Sequence, residues 1–199
     1  MVTYCCSHHA VVRFNHENDK VHSNDIGEVL MQIYSYSILE FDFYHTSMPI
    51  FNEDKKVICV LKKTRHRILT QLFHILLRTG MPYCYRVTSI DKHPIYKIDC
   101  LFTGIRYTLE SYNTLKTVSI KQKRVQLIEK VQTFIIDSDK YQFEKDYTSA
   151  GTLTFNGEKI AYIRNLDHTN TNLTNRIYIE AVNDDIAALI AIMYQTFVR

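Results

Sequence analysis

The sequence predicts a mainly β protein: a closed antiparallel barrel of about twelve strands built around a hydrophobic C-terminal helix. Three observations point there. From Ile33 onward the chain breaks into short runs rich in Ile, Val, Thr, Tyr and Phe, divided by turn residues. Residues 186–194 (IAALIAIMY) form an unbroken apolar and aromatic run opened by Asn183, Asp184 and Asp185, residues suited to a helix start. A helix apolar on every side must be surrounded, and at roughly 20 Å it is too short for a bilayer core of about 30 Å. Its surroundings are therefore protein, and a closed barrel supplies them while leaving no exposed sheet edge.

The elements follow in order. Residues 1–29 are polar and weakly periodic and read as an extension; residues 30–199 read as one barrel domain. Strands are expected near 32–38, 46–51, 57–62, 82–89, 94–101, 104–110, 115–122, 125–136, 139–143, 150–156, 158–165 and 175–181. The separators carry turn chemistry, as at 52–54, 89–93, 111–113 and 137–139. Asn156 and Gly157 suit the two positive-φ positions of a type I′ hairpin, with alternating residues on either side. One surface helix is expected at 64–78, where Ile68, Leu72 and Leu76 recur at helical spacing and Arg65, Arg67, Gln71 and Arg78 fall largely off that stripe. Gly80 and Pro82 suit its end. The closing helix spans 184–198.

Composition narrows function by exclusion. The net charge of +3 permits contact with anionic lipid or nucleic acid but requires neither. Cys59, Cys84 and Cys100 each lie in an apolar strand-like run and read as buried thiols in a reducing compartment. Cys5, Cys6, His8 and His9 lack zinc-ligand spacing, so no metal is expected. No nucleophile elbow, Walker loop or dinucleotide glycine pattern occurs, so the expectation is no catalytic residues, no cofactor and no enzyme. With neither a leader pattern nor an apolar run of spanning length, the chain is expected in the cytoplasm, at most peripheral to a membrane.

Several segments resemble the tubby C-terminal-like superfamily, nearest to its LURP-one-related branch and that branch's small bacterial members. They are residues 103–110 (TGIRYTLE), 119–124 (SIKQKR), 141–146 (YQFEKD), the hairpin at 152–163 and residues 176–181 (RIYIEA) before the helix. The resemblance covers about 30–199. It implies a twelve-stranded barrel around a C-terminal helix. In the wider superfamily it implies phosphoinositide binding or action at membranes; no tubby binding residue transfers to a matching position here.

Two basic clusters are the candidate sites. Lys62, Lys63, Arg65 and Arg67, with Lys55 and Lys56 nearby, form the densest positive stretch and can hold lipid phosphates. Lys121, Lys123 and Arg124 form the second; Lys121 and Lys123 share one face of a strand. The bland reading of both is solvated charge that protects the barrel from aggregation. The expected ligand is an anionic membrane lipid headgroup, with a protein partner or a purely structural role as the alternative. Tyr83, Tyr85, Tyr96, Tyr107 and Tyr112 interleave with basic residues, as on a single-strand nucleic-acid platform. They read better as barrel packing, so nucleic acid is not the expected partner.

Overall fold

The computed structural model describes residues 30–39, 47–65, 83–100, 106–124, 130–165 and 174–198. Twelve strands and one helix are found among them: β1 (Gln32–Leu39), β2 (Ser47–Asn52), β3 (Val57–Arg65), β4 (Tyr83–Ser89), β5 (Pro94–Cys100), β6 (Tyr107–Ser111), β7 (Lys116–Arg124), β8 (Lys130–Ile136), β9 (Asp139–Lys145), β10 (Gly151–Phe155), β11 (Glu158–Asn165), β12 (Thr174–Ala181) and α1 (Asp184–Phe197). Each strand pairs antiparallel with its sequence neighbour, and β1 pairs with β12 from Gln32↔Ala181 to Leu39↔Thr174, which closes the barrel.

Every expected strand is present among the described residues, with bounds there shifted by at most three residues; residues 46, 82, 101, 104–105 and 125–129 of the expected strands lie outside the described residues. The surface helix expected from Thr64 is corrected at its start. Thr64 and Arg65 belong to β3, where they pair with Cys84 and Tyr83, and the Thr64 hydroxyl donates to the Cys84 carbonyl at 3.0 Å. A β-branched Thr beside a strand partner favours the ladder over a helix start. The rest of that helix lies outside the described residues, as do the extension 1–29 and Arg67.

The turns obey local chemistry. Asn156 (φ 49) and Gly157 (φ 97) occupy the left-handed region together, giving the expected type I′ turn between β10 and β11. Asp137 (φ 53) and Ser138 (φ 77) do the same between β8 and β9. Gly151 is required for a different reason: a Cβ there would stand 2.7 Å from the Phe143 ring and 2.9 Å from Ile163.

Alternation sets the interior. Inward positions such as Cys59, Leu61, Val87, Ile98, Leu109, Phe143, Leu153, Ile163, Ile177 and Ile179 are almost fully buried. The helix α1 runs inside this wall, and every residue from Ala187 to Gln195 is buried. Fully burying a residue such as Leu189 or Ile192 contributes about 1.5–3 kcal/mol. The helix packs chiefly on β3–β5 at one side and β10–β12 at the other. Toward β6–β9, large rings fill the interior: Phe134 stacks on Tyr141 at 5.2 Å, Phe155 meets Tyr141 edge-on at 5.1 Å, and Tyr107 meets Phe197 at 4.9 Å.

Both ends of the helix are tied down. The Ile186 amide donates to the Asn183 side chain at 2.9 Å, the capping bond expected from the sequence. The Tyr34 hydroxyl donates to Asp184 at 2.8 Å, joining the first strand to the last element. Further along, Gln195 donates to the Tyr36 hydroxyl at 2.8 Å, which satisfies a polar side chain inside the core. Among the described residues, the exposed cations of the strands lie on the outer wall.

Candidate anion-binding surface

Because Cys59 and Leu61 point inward, Lys62 points outward and is exposed. Its register partners are Ser47 on β2 and Arg86 on β4. Arg86 in turn lies opposite Lys97 on β5, and Lys97 lies opposite Glu110 on β6. Three cations and one acid therefore form a single row across four strands.

The row is divided electrostatically. Lys97 donates to Glu110 at 3.0 Å and pairs with Asp99 at 3.3 Å. Burial alone lowers the Lys97 pKa, but the bond to Glu110 and the Asp99 charge outweigh it, so the net shift is upward. The Tyr112 hydroxyl donates to the other Glu110 oxygen at 2.8 Å and holds that carboxylate in place. Lys62 and Arg86 have no acidic partner among the described residues. Two like charges directly opposite on neighbouring strands repel, by somewhat less than ~1 kcal/mol at about 5 Å in water. An anion bound between them removes that repulsion.

The other sequence-selected residues distribute as follows. Lys63 falls in the inward register and is half-buried, so strand alternation separates it from Lys62. Arg65 ends β3 opposite Tyr83. Lys121 and Lys123 are exposed on the outer face of β7, opposite Thr133 and Val131, and Arg124 ends that strand opposite Lys130. Lys116, at the start of β7, is paired with Asp137. The ends of β3 and β7 that carry the two clusters lie at the same end of the barrel, where α1 finishes. Three strands separate them, a span of about 19 Å along the wall. The intervening strands carry Lys97 with its two acids, so the clusters are two patches. Arg86 was not among the sequence candidates because it stands alone in YCYRVTS; the only sequence signal is its place between the inward Tyr85 and Val87.

Other chemistries find little support among the described residues. Cys59, Cys84 and Cys100 are buried thiols that form no disulfide. Burial, with the charges of Asp184 and Asp185, pushes Cys59 up to about 12; burial also raises Cys84 and Cys100. Little thiolate is available at neutral pH for nucleophilic attack. The described His, Cys, Asp and Glu residues form no group able to hold a metal ion. Tyr85 and Tyr96 are 8% and 7% exposed, so their rings offer no stacking platform. No helix among the described residues is long and apolar enough to cross a membrane.

A closed antiparallel barrel threaded by its own C-terminal helix defines a tubby-like module. The family model Tubby C-terminal like domain matches residues 34–199, and the chain belongs to that family. Comparison with curated proteins and with solved structures finds no match.

Proposed function

We propose that this chain is a non-enzymatic tubby-like module of the LURP-one-related branch that holds anionic phospholipid headgroups against its outer wall. The observation that carries this reading is the Lys62–Arg86 pair: two exposed cations, opposite in register and unneutralised among the described residues. Arg86 supplies a planar fork for phosphate oxygens and Lys62 a point charge. Ser47 adds a hydroxyl on the neighbouring strand. In this reading Lys121 and Lys123, exposed on β7 four strand steps from Lys62, form a separate basic patch outside the footprint of a bilayer lying on Lys62 and Arg86. The protein then sits at the cytoplasmic face of a membrane, where anionic lipids attract basic surfaces by about 1 kcal/mol per Lys or Arg.

Co-sedimentation with vesicles tests it. Binding to anionic vesicles at low salt, fading as salt shortens the screening length toward about 8 Å, is the expected result. Equal and negligible binding to anionic and neutral vesicles removes the lipid reading and leaves a protein-interaction module, recoverable through a partner that needs no lipid.

A further inference from the structure

We propose a second anion site on the outer wall, at Arg164, Arg176 and Tyr178, which takes the phosphoryl dianion of a soluble phosphomonoester. Inward positions Ile163, Ile177 and Ile179 are fully buried, which turns Arg164, Arg176 and Tyr178 outward. Arg164 lies directly opposite Tyr178. The Arg176 guanidinium stacks over the Tyr178 ring, 5.1 Å from its centroid, so its fork is held in orientation before any ligand arrives. On the adjoining strand, Ser35 is opposite Tyr178 and Ser37 is opposite Arg176. Two guanidiniums, a phenol and two serine hydroxyls thus converge on three neighbouring strands.

None of these donors is used within the described part of the molecule. Neither arginine has an ion pair, and the hydroxyls of Tyr178, Ser35 and Ser37 have no hydrogen-bond acceptor among the described residues. The nearest described acid along β12 is Glu180, two residues beyond Tyr178 and opposite Tyr162 and Ile33. Lys97 and Lys116, by contrast, are neutralised, the first by Asp99 and Glu110 and the second by Asp137. The two arginines are diagonal neighbours, about 7–8 Å apart at Cα, a gap that the three oxygens of a phosphoryl group bridge. Two full positive charges favour its dianion over singly charged anions.

Placement decides for a soluble ligand. In the barrel order, β11–β12 and β3–β4 stand four strand steps apart of twelve, a third of the circumference. A flat bilayer lying on Lys62 and Arg86 does not face Arg164 and Arg176. The site is therefore independent of the lipid reading.

The test is titration of the full chain with phenyl phosphate, followed by NMR of the arginine Nε and backbone amides. Shifts confined to β11, β12 and β1 are expected. Arg164→Gln and Arg176→Gln should each weaken binding about tenfold or more, since each removes a charge-assisted hydrogen bond. Both substitutions are on exposed positions and should leave the melting temperature in place. A Lys62→Gln/Arg86→Gln variant should bind phenyl phosphate as the parent does. Absent shifts, or shifts undiminished in the two arginine variants, overturn the site. Loss of anionic-vesicle binding in Arg164→Gln/Arg176→Gln overturns its assignment to a soluble ligand.

Discussion

Along the row Lys62–Arg86–Lys97–Glu110, two halves of one wall meet the same electrostatic problem differently. On β5 and β6, Lys97 is enclosed by Asp99 and Glu110, and Tyr112 fixes the acid. On β3 and β4, Lys62 and Arg86 stand opposite each other with no described acid beside them. The residue types are similar and the backbone is the same ladder. The difference lies in the partners on the adjacent strand. A cation that is neutralised within the fold has its bonding capacity used; one left beside another cation retains it for a ligand. Cation content alone therefore says little about where an anion binds, and cross-strand pairing says more.

The contrast depends on a wall held in fixed register by its core, and the largest expected effect tests that. Ala188 is 1% exposed at the centre of α1, so Ala188→Asp places an unpaired charge in the interior and should prevent folding. A variant that stays soluble and as heat-stable as the parent shows that the helix is not enclosed, and the register argument goes with it. Gly151→Ala is milder. Its Cβ meets the Phe143 ring at 2.7 Å, and the strain should cost about 1–3 kcal/mol in a urea titration. Unchanged stability would mean that the ring moves freely and the wall is softer than described.

Glu110→Gln sharpens the contrast by making the neutralised half resemble the open one. It removes the closer acid from Lys97 while Asp99 remains, and should cost about 1 kcal/mol of stability. It should also raise anionic-vesicle binding, by up to about fivefold, since the wall loses one negative charge. A loss of vesicle binding would contradict the division of the row.

The smallest effect concerns an acidic counterpart where α1 begins. Partial desolvation and the Asp184 charge raise the Asp185 pKa, while the bond from Asn113 acts the other way. Between the unfolded value of about 4 and the raised native value, the native state keeps a proton that the unfolded chain releases. Stability therefore falls as pH rises through that window. Asp185→Asn keeps an acceptor for Asn113 and loses the repulsion. It should be more stable than the parent at neutral pH, with the gap closing below about pH 4. A gap that widens on acidification would reverse the assigned sign.

Much of the fold was legible because it depends on local signals. Asn156 and Gly157 announce their turn through the φ angles they tolerate, and residues 186–194 announce an enclosed helix through all-round hydrophobicity. The three strand cysteines read as buried from their apolar flanks, and they are. The site was less legible because its defining relations join residues far apart in the chain. Lys62 and Lys63 look like one cluster in sequence, yet alternation sends them to opposite faces. Arg86 looks isolated until β4 pairs with β3. Thr64 and Arg65 lie just before the apolar spacing of Ile68, Leu72 and Leu76 that suggests a helix, but pairing with Cys84 and Tyr83 extends the strand through them.

The central claim is that the unneutralised pair on β3 and β4 is the lipid-binding element, and equilibrium binding of Lys62→Gln/Arg86→Gln to anionic vesicles tests it most directly. At about 1 kcal/mol per basic residue, the variant should bind roughly 30-fold more weakly than the parent at the same salt. Its folding stability should be unchanged or raised by a few tenths of a kcal/mol, because a like-charge pair is gone. Parent-like vesicle binding by the folded variant would contradict the claim.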